Sequence, residues 1–173
     1  MRVLDLSQSL RSGMAVYPGD SEVEIAIHQE RDIAGWEVRK LSMGSHTGTH
    51  VDAFSHAHAS GKNLDQIPLD RFIGMAQCVA PGQGLPTGIG LIFNHHISAE
   101  RLPDIAAARP QFVGGPSLDE TLEKELLAME ALTFDGLANV AELPLDVPFT
   151  FCGFPLRIEG GDGSPIRAVA LIE

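Results

Sequence analysis

The sequence predicts a mixed α/β fold built on a strand-rich, largely antiparallel or barrel-like sheet with two or more helices. Three observations carry this. Short apolar or alternating runs recur along the chain. Helical periodicity is confined to two stretches in the second half. The 18 Gly and 11 Pro are spread throughout, as many short elements joined by tight turns require. With 173 residues, 44% hydrophobic and 20% charged, residues 1–173 read as one domain with one sizeable core.

The elements follow in order. Arg2 to Leu6 is a short strand, and Tyr17-Pro18-Gly19-Asp20 is a turn, because Pro presets φ and Gly accepts φ > 0. From Glu22 to His28, Val23, Ile25 and Ile27 alternate with Glu22, Glu24 and Ala26, the period of a half-buried strand. Trp36 to Met43 is a second strand with weaker alternation. Phe72 to Ala80 and Gly88 to Phe93 are apolar strands. Ser98 opens a helical stretch to Ala108, with Leu102, Ile105 and Ala106 on one side. Ser117-Leu118-Asp119-Glu120 matches an S-x-x-E capping box. Its helix is expected to run to Met129 and bury Leu118, Leu122, Leu126 and Met129. Ala131 to Phe134, Phe149 to Phe154 and Ile166 to Ile172 end the chain as strands. Glu159 to Pro165 is Gly-rich but lacks the Lys of a phosphate loop, and reads as a tight turn.

Composition excludes several function classes. The 23 acidic and 12 basic residues give a net charge of −11, so there is no Lys/Arg face for nucleic acid or an anionic membrane. No apolar run has the length of a membrane span, and the N-terminus lacks a signal-peptide core, so a cytoplasmic setting is expected. Cys78 and Cys152 are too far apart for a zinc knuckle and too few for a disulfide scaffold.

The strongest chemical signal is His46-Thr47-Gly48-Thr49-His50-Val51-Asp52-Ala53-Phe54-Ser55-His56. Gly48 between two β-branched threonines disfavours a helix, so a turn at Thr47-Gly48 is expected to fold His46 back toward His50. His50 and Asp52, two apart in extended chain, share a face. Two imidazoles and a carboxylate with an open position suit a catalytic divalent metal. His56 reads either as a further ligand or as a general acid/base. His58 flanks the cluster, His95-His96 reads as loop, His28 as a strand-end residue, and Cys152 as packing rather than nucleophile.

This stretch resembles the H-x-G-T-H-x-D-x-P-x-H signature of the cyclase-like metal-dependent hydrolases, the family of bacterial kynurenine formamidase and isatin hydrolase. Asp5-Leu6-Ser7-Gln8, Tyr17-Pro18-Gly19-Asp20 and the segment Phe154 to Val169 resemble its opening and closing, around a shorter middle. The resemblance implies a swivelling β/β/α-like fold and a homodimer or homotetramer. It implies His46, His50 and Asp52 as metal ligands and His56 as proton shuttle. Phe54 stands where the motif has Pro. Aligning Leu126-Leu127 and Leu137 with the family puts Glu123 where its members carry a ligand His, and Asp135 where they carry a ligand Glu. Both remain oxygen donors. Glu123 reads equally as a solvated helix residue, and Asp135, before Gly136, equally as a turn residue.

The implied activity is hydrolysis of a C–N bond in a small amide by metal-activated water. The substrate class that the resemblance implies is an aryl formamide such as N-formylkynurenine, or a cyclic amide. The implied cofactor is Zn2+, with Mn2+ as the alternative if both carboxylates ligate. The competing reading is a non-catalytic relative that binds a metal or ligand or serves as an assembly module.

Overall fold

The computed structural model describes residues 1–173. The chain forms β1 (Arg2–Asp5), β2 (Glu24–Gln29), α1 (Arg31–Ala34), β3 (Val38–Ser42), β4 (His50–Asp52), β5 (Ile73–Val79) and β6 (Gly90–Phe93). There follow α2 (Leu102–Ala108), β7 (Phe112–Gly114), α3 (Glu120–Ala128), β8 (Leu132–Asp135), β9 (Phe149–Cys152), β10 (Gly163–Pro165) and β11 (Val169–Ile172).

Nine strands make one sheet in the order β1-β11-β9-β5-β6-β7-β8-β4-β10, and β2 and β3 form a separate hairpin. The large sheet is antiparallel at both ends and parallel through β5, β6, β7 and β8. Only Ile166, Arg167 and Ala168 separate β10, on one edge, from β11, next to the other. The four Cα–Cα steps from Pro165 to Val169 span roughly 14 Å at most, so the two edges are drawn together and the sheet curls into a barrel-like shell.

The parallel centre follows from burial on both faces. All four residues of β6 are buried, the continuous apolar pattern of a strand covered on each side. Ile92 faces the barrel interior with Phe112, Phe134 and Phe151. Leu91 and Phe93 face Ile105 of α2 and Leu122 and Leu126 of α3. The interior phenylalanines stack edge-on or tilted, with ring centroids 4.8–5.5 Å apart, the separations aromatic pairs favour.

Two sequence expectations for α3 need correction. Its N-cap is Asp119, whose side chain accepts from the Thr121 N–H, and Ser117 lies outside the helix. Asp119 wins because its carboxylate sits one residue before the first helical turn and its charge suits the helix N-terminus. Met129 is 47% exposed, because the helix ends at Ala128 and the buried stripe passes through Leu127 instead.

β7 and β10 are strands with no alternating pattern to announce them. β10, Gly-Ser-Pro, pairs with β4 at the sheet edge, where the missing N–H of Pro165 costs no ladder bond. The expected turn survives just before it, with Gly160 at φ +66°. The β2–β3 hairpin stands apart, and Ile27, Ile33, Trp36 and Leu41 are exposed along it.

Candidate active site

The site forms where β4 runs between β8 and β10. His50 and Asp52, on one face of β4, lie opposite Asp135 and Thr133 of β8. Asp52 is also opposite Gly163 of β10. The bend before β4 depends on Gly48, at φ +64°. It is tied down through Thr49, whose hydroxyl donates to the Gly136 carbonyl at 2.6 Å and accepts from the Gln8 N–H at 2.8 Å. The chain thereby returns His46 to β4, with its ring centroid 5.3 Å from that of His50.

Asp52 is the hub. It is fully buried, with Oδ1 2.7 Å from His46 Nδ1 and 3.4 Å from His50 Nε2, while Oδ2 accepts from the Thr133 hydroxyl at 2.8 Å. Burial opposes its ionisation, but the hydrogen bond from His46 and the His50 charge outweigh this and hold the carboxyl below its ordinary range. His50 donates Nδ1–H to the Gly48 carbonyl at 2.9 Å, which turns the lone pair of Nε2 toward Asp52 and leaves it free to accept a ligand bond.

His46 has both ring nitrogens engaged, Nδ1 with Asp52 and Nε2 with Asp162 Oδ2 at 3.1 Å. Burial disfavours its protonation, yet the Asp52 hydrogen bond and charge, followed by Asp162, push it up to about 9. His56 follows on a 3-10 turn over Phe54–His56, and its ring centroid is 3.9 Å from that of His46. Donor atoms of His46, Asp52 and His56 lie within 4.8 Å of one another.

Glu123, from α3, and Asp135, at the end of β8, line the same pocket of about 640 Å³ with His46, His50 and His56. Burial, then the Asp52 charge and hydrogen bond and the Asp135 charge, raise Glu123 to about 9. Burial also raises Asp135, and its Oδ1 is buried with no hydrogen-bond partner. A buried carboxylate oxygen without a donor is costly. Ionised together, Asp52, Glu123 and Asp135 would repel one another in this poorly solvated pocket, and a bound cation would relieve that repulsion. The donor set therefore fits a divalent cation, and its wealth of oxygen fits a hard one.

His46, His50, His56, Glu123 and Asp135 line one pocket, and Asp52, fully buried, stands behind it with its carboxylate within 4.8 Å of donor atoms of His46 and His56. Three further contributors are not marked as site residues by the sequence, although Asp162 falls in the Phe154 to Val169 segment that resembles the family's closing. Thr133 is marked only by its alternation with Asp135, and Ser45 and Asp162 lie in polar turns. Ser45 donates to Asp162 Oδ1 at 3.0 Å. His96 bonds Ser117 Oγ, away from this site, and no helix is long and apolar enough to cross a membrane.

The family model Cyclase, described as "Putative cyclase", matches residues 4–102. The chain is 32% identical to a kynurenine formamidase of Salinibacter ruber over 98% of this chain and 97% of that protein. That alignment spans 209 positions against 173 residues here, so the relative carries segments this chain lacks. In fold, the chain matches isatin hydrolase A from Ralstonia solanacearum with a TM-score of 0.78 at 21% identity, covering 99% of this chain and 92% of that one. It also matches a predicted metal-dependent hydrolase from Bacillus stearothermophilus with a TM-score of 0.80 at 19% identity, covering 98% and 97%. The matched family model includes the His46–His56 stretch around which the pocket is built, and the chain belongs to the Cyclase family.

Proposed function

We propose that this pocket is the active centre of a metal-dependent amidohydrolase that cleaves the C–N bond of an aryl formamide, N-formylkynurenine foremost, or of a cyclic amide. The observation that carries the reading is the convergence of His46 and His50 on the buried Asp52, with an orphaned Asp135 oxygen in the same pocket. The kynurenine formamidase relative supports the substrate class.

His46, His50 and Asp52 would hold the ion, with Glu123 and Asp135 as the second pair of ligands. A bound divalent cation polarises an amide carbonyl and acidifies water. The oxygen-rich set favours Mn2+ over Zn2+. His56 sits at the mouth with its side chain 38% exposed. It takes a proton from the attacking water, passes it to the departing nitrogen and exchanges with solvent. Leu127, Ala57 and Val16 supply apolar wall for an aryl group, and Tyr17 and Lys124 a polar rim. Assembly as a homodimer or homotetramer would cover Ile33 and Trp36.

Elemental analysis of tag-free protein, followed by a chelator-sensitive assay over formamides, lactams and cyclic imides, tests the reading. Less than about half an equivalent of any metal removes it. Metal-loaded protein that turns over no amide favours a non-catalytic binding module. His56→Ala should lose turnover and keep its metal.

A further inference from the structure

Asp162 reads in sequence as one residue of a tight turn, yet it is anchored from several sides. Its carbonyl accepts the Ala53 N–H at 2.8 Å, immediately before the turn that carries His56. Its Oδ1 accepts from Ser45, and its Oδ2 lies 3.1 Å from His46 Nε2 and 3.5 Å from His56 Nδ1. It is the only carboxylate with an oxygen within 4.0 Å of a His56 ring nitrogen. Gly161, one residue earlier, accepts the Leu64 N–H at 2.8 Å, which pins the turn against the chain leaving the histidine cluster.

We propose that Asp162 is a positioning residue for His56: its carboxylate accepts the Nδ1–H and leaves Nε2 as the atom that exchanges protons in the pocket. The inference rests on the amidohydrolase reading for its catalytic consequence, and on the geometry alone for the tautomer. A neutral imidazole carries its proton on either nitrogen, and a shuttle works only when the nitrogen facing the reaction is the free one. A carboxylate on the other nitrogen fixes both tautomer and ring plane. The 3.5 Å separation is long for a hydrogen bond. With Asp162 50% and His56 38% exposed, small side-chain rotations close it. Ser45 and the two backbone anchors hold the carboxylate beside the ring while it moves.

The test compares Asp162→Asn and Asp162→Glu with the wild-type holoenzyme, by kinetics, by metal content and by 15N NMR of the His56 ring in protein loaded with a diamagnetic ion, zinc or magnesium. Asn is expected to lower kcat on the order of 10- to 100-fold with KM and metal content unchanged. His56 should change from a single Nδ1–H tautomer to a mixture. Glu, which keeps the carboxylate, should recover part of kcat and the single tautomer. Unchanged kcat with an unchanged tautomer in Asp162→Asn overturns the proposal. Loss of metal alongside kcat also overturns it, because it makes Asp162 a ligand. If the wild-type holoenzyme hydrolyses no amide, the functional reading fails by itself, and the tautomer comparison still decides the role of Asp162.

Discussion

Gly163 lies flat against the imidazole of His46: a β-carbon there would sit 2.7 Å from Nδ1 and 2.8 Å from Nε2, inside contact distance. Glycine in a strand normally weakens it. Here its bareness is what lets His46 reach Asp52.

Gly163→Ala is therefore expected to act opposite to its usual sense. Overpacking against a ring held from both ends costs about 1–3 kcal/mol, and moving the ring breaks its 2.7 Å bond to Asp52. Urea unfolding should show the destabilisation. Metal titration should show affinity reduced by roughly 10- to 100-fold. Wild-type affinity in this variant would mean that His46 is no ligand.

Metal-free protein should lose stability as pH rises from neutral. His46 is raised from 6.5 to about 9, so the fold binds more protons than the unfolded chain across that window. Its contribution is fully present below 6.5 and lost as pH passes 9. Glu123, raised from 4.5 to about 9, acts in the same direction from lower pH. Asp52, held low, loses its contribution only in acid. A bound cation takes the place of these protons. Thermal melts with chelator should fall from pH 6.5 to 9, and the gap to metal-loaded protein should widen. Parallel melting curves across that range would contradict the assignment.

By the proposed alignment Glu123, like Asp135, departs from the family's ligand pattern, and Glu123→His would restore the histidine at that position. Exchanging a carboxylate for an imidazole softens the donor set and should shift selectivity from manganese toward zinc. Dialysis against both ions at equal concentration, with elemental analysis, reads the ratio. An unchanged ratio would place Glu123 outside the coordination sphere.

The candidate site is more legible in the sequence than the fold is, because its residues are close in the chain. His46, His50, Asp52 and His56 fit within eleven residues, and their convergence needs one turn and one strand. The long strands were legible from apolar runs such as Ile73–Val79. β7 and β10 were not, because three-residue strands with Gly or Pro owe their conformation to neighbours rather than to propensity. Asp162 escaped for the same reason: it reaches His56 only because β10 pairs with β4, a contact more than a hundred residues apart in sequence.

Tyr17 and Glu120 supply a final test, at the pocket mouth. The Tyr17 hydroxyl donates to Glu120 Oε1 at 2.6 Å, joining the loop before β2 to the first turn of α3. That hydrogen bond and the Glu120 charge raise the Tyr17 hydroxyl above its ordinary range. Both residues line the pocket, but neither belongs to the proposed metal-ligand set. Tyr17→Phe removes the bond and keeps the ring. An exposed pair of this kind changes binding by about two- to five-fold, so KM should rise by that factor while kcat holds. Glu120→Gln should have a similar effect, and the double variant should be no worse than either single one, because both cut the same link. A fall in kcat with KM constant would instead place Tyr17 at the reacting bond.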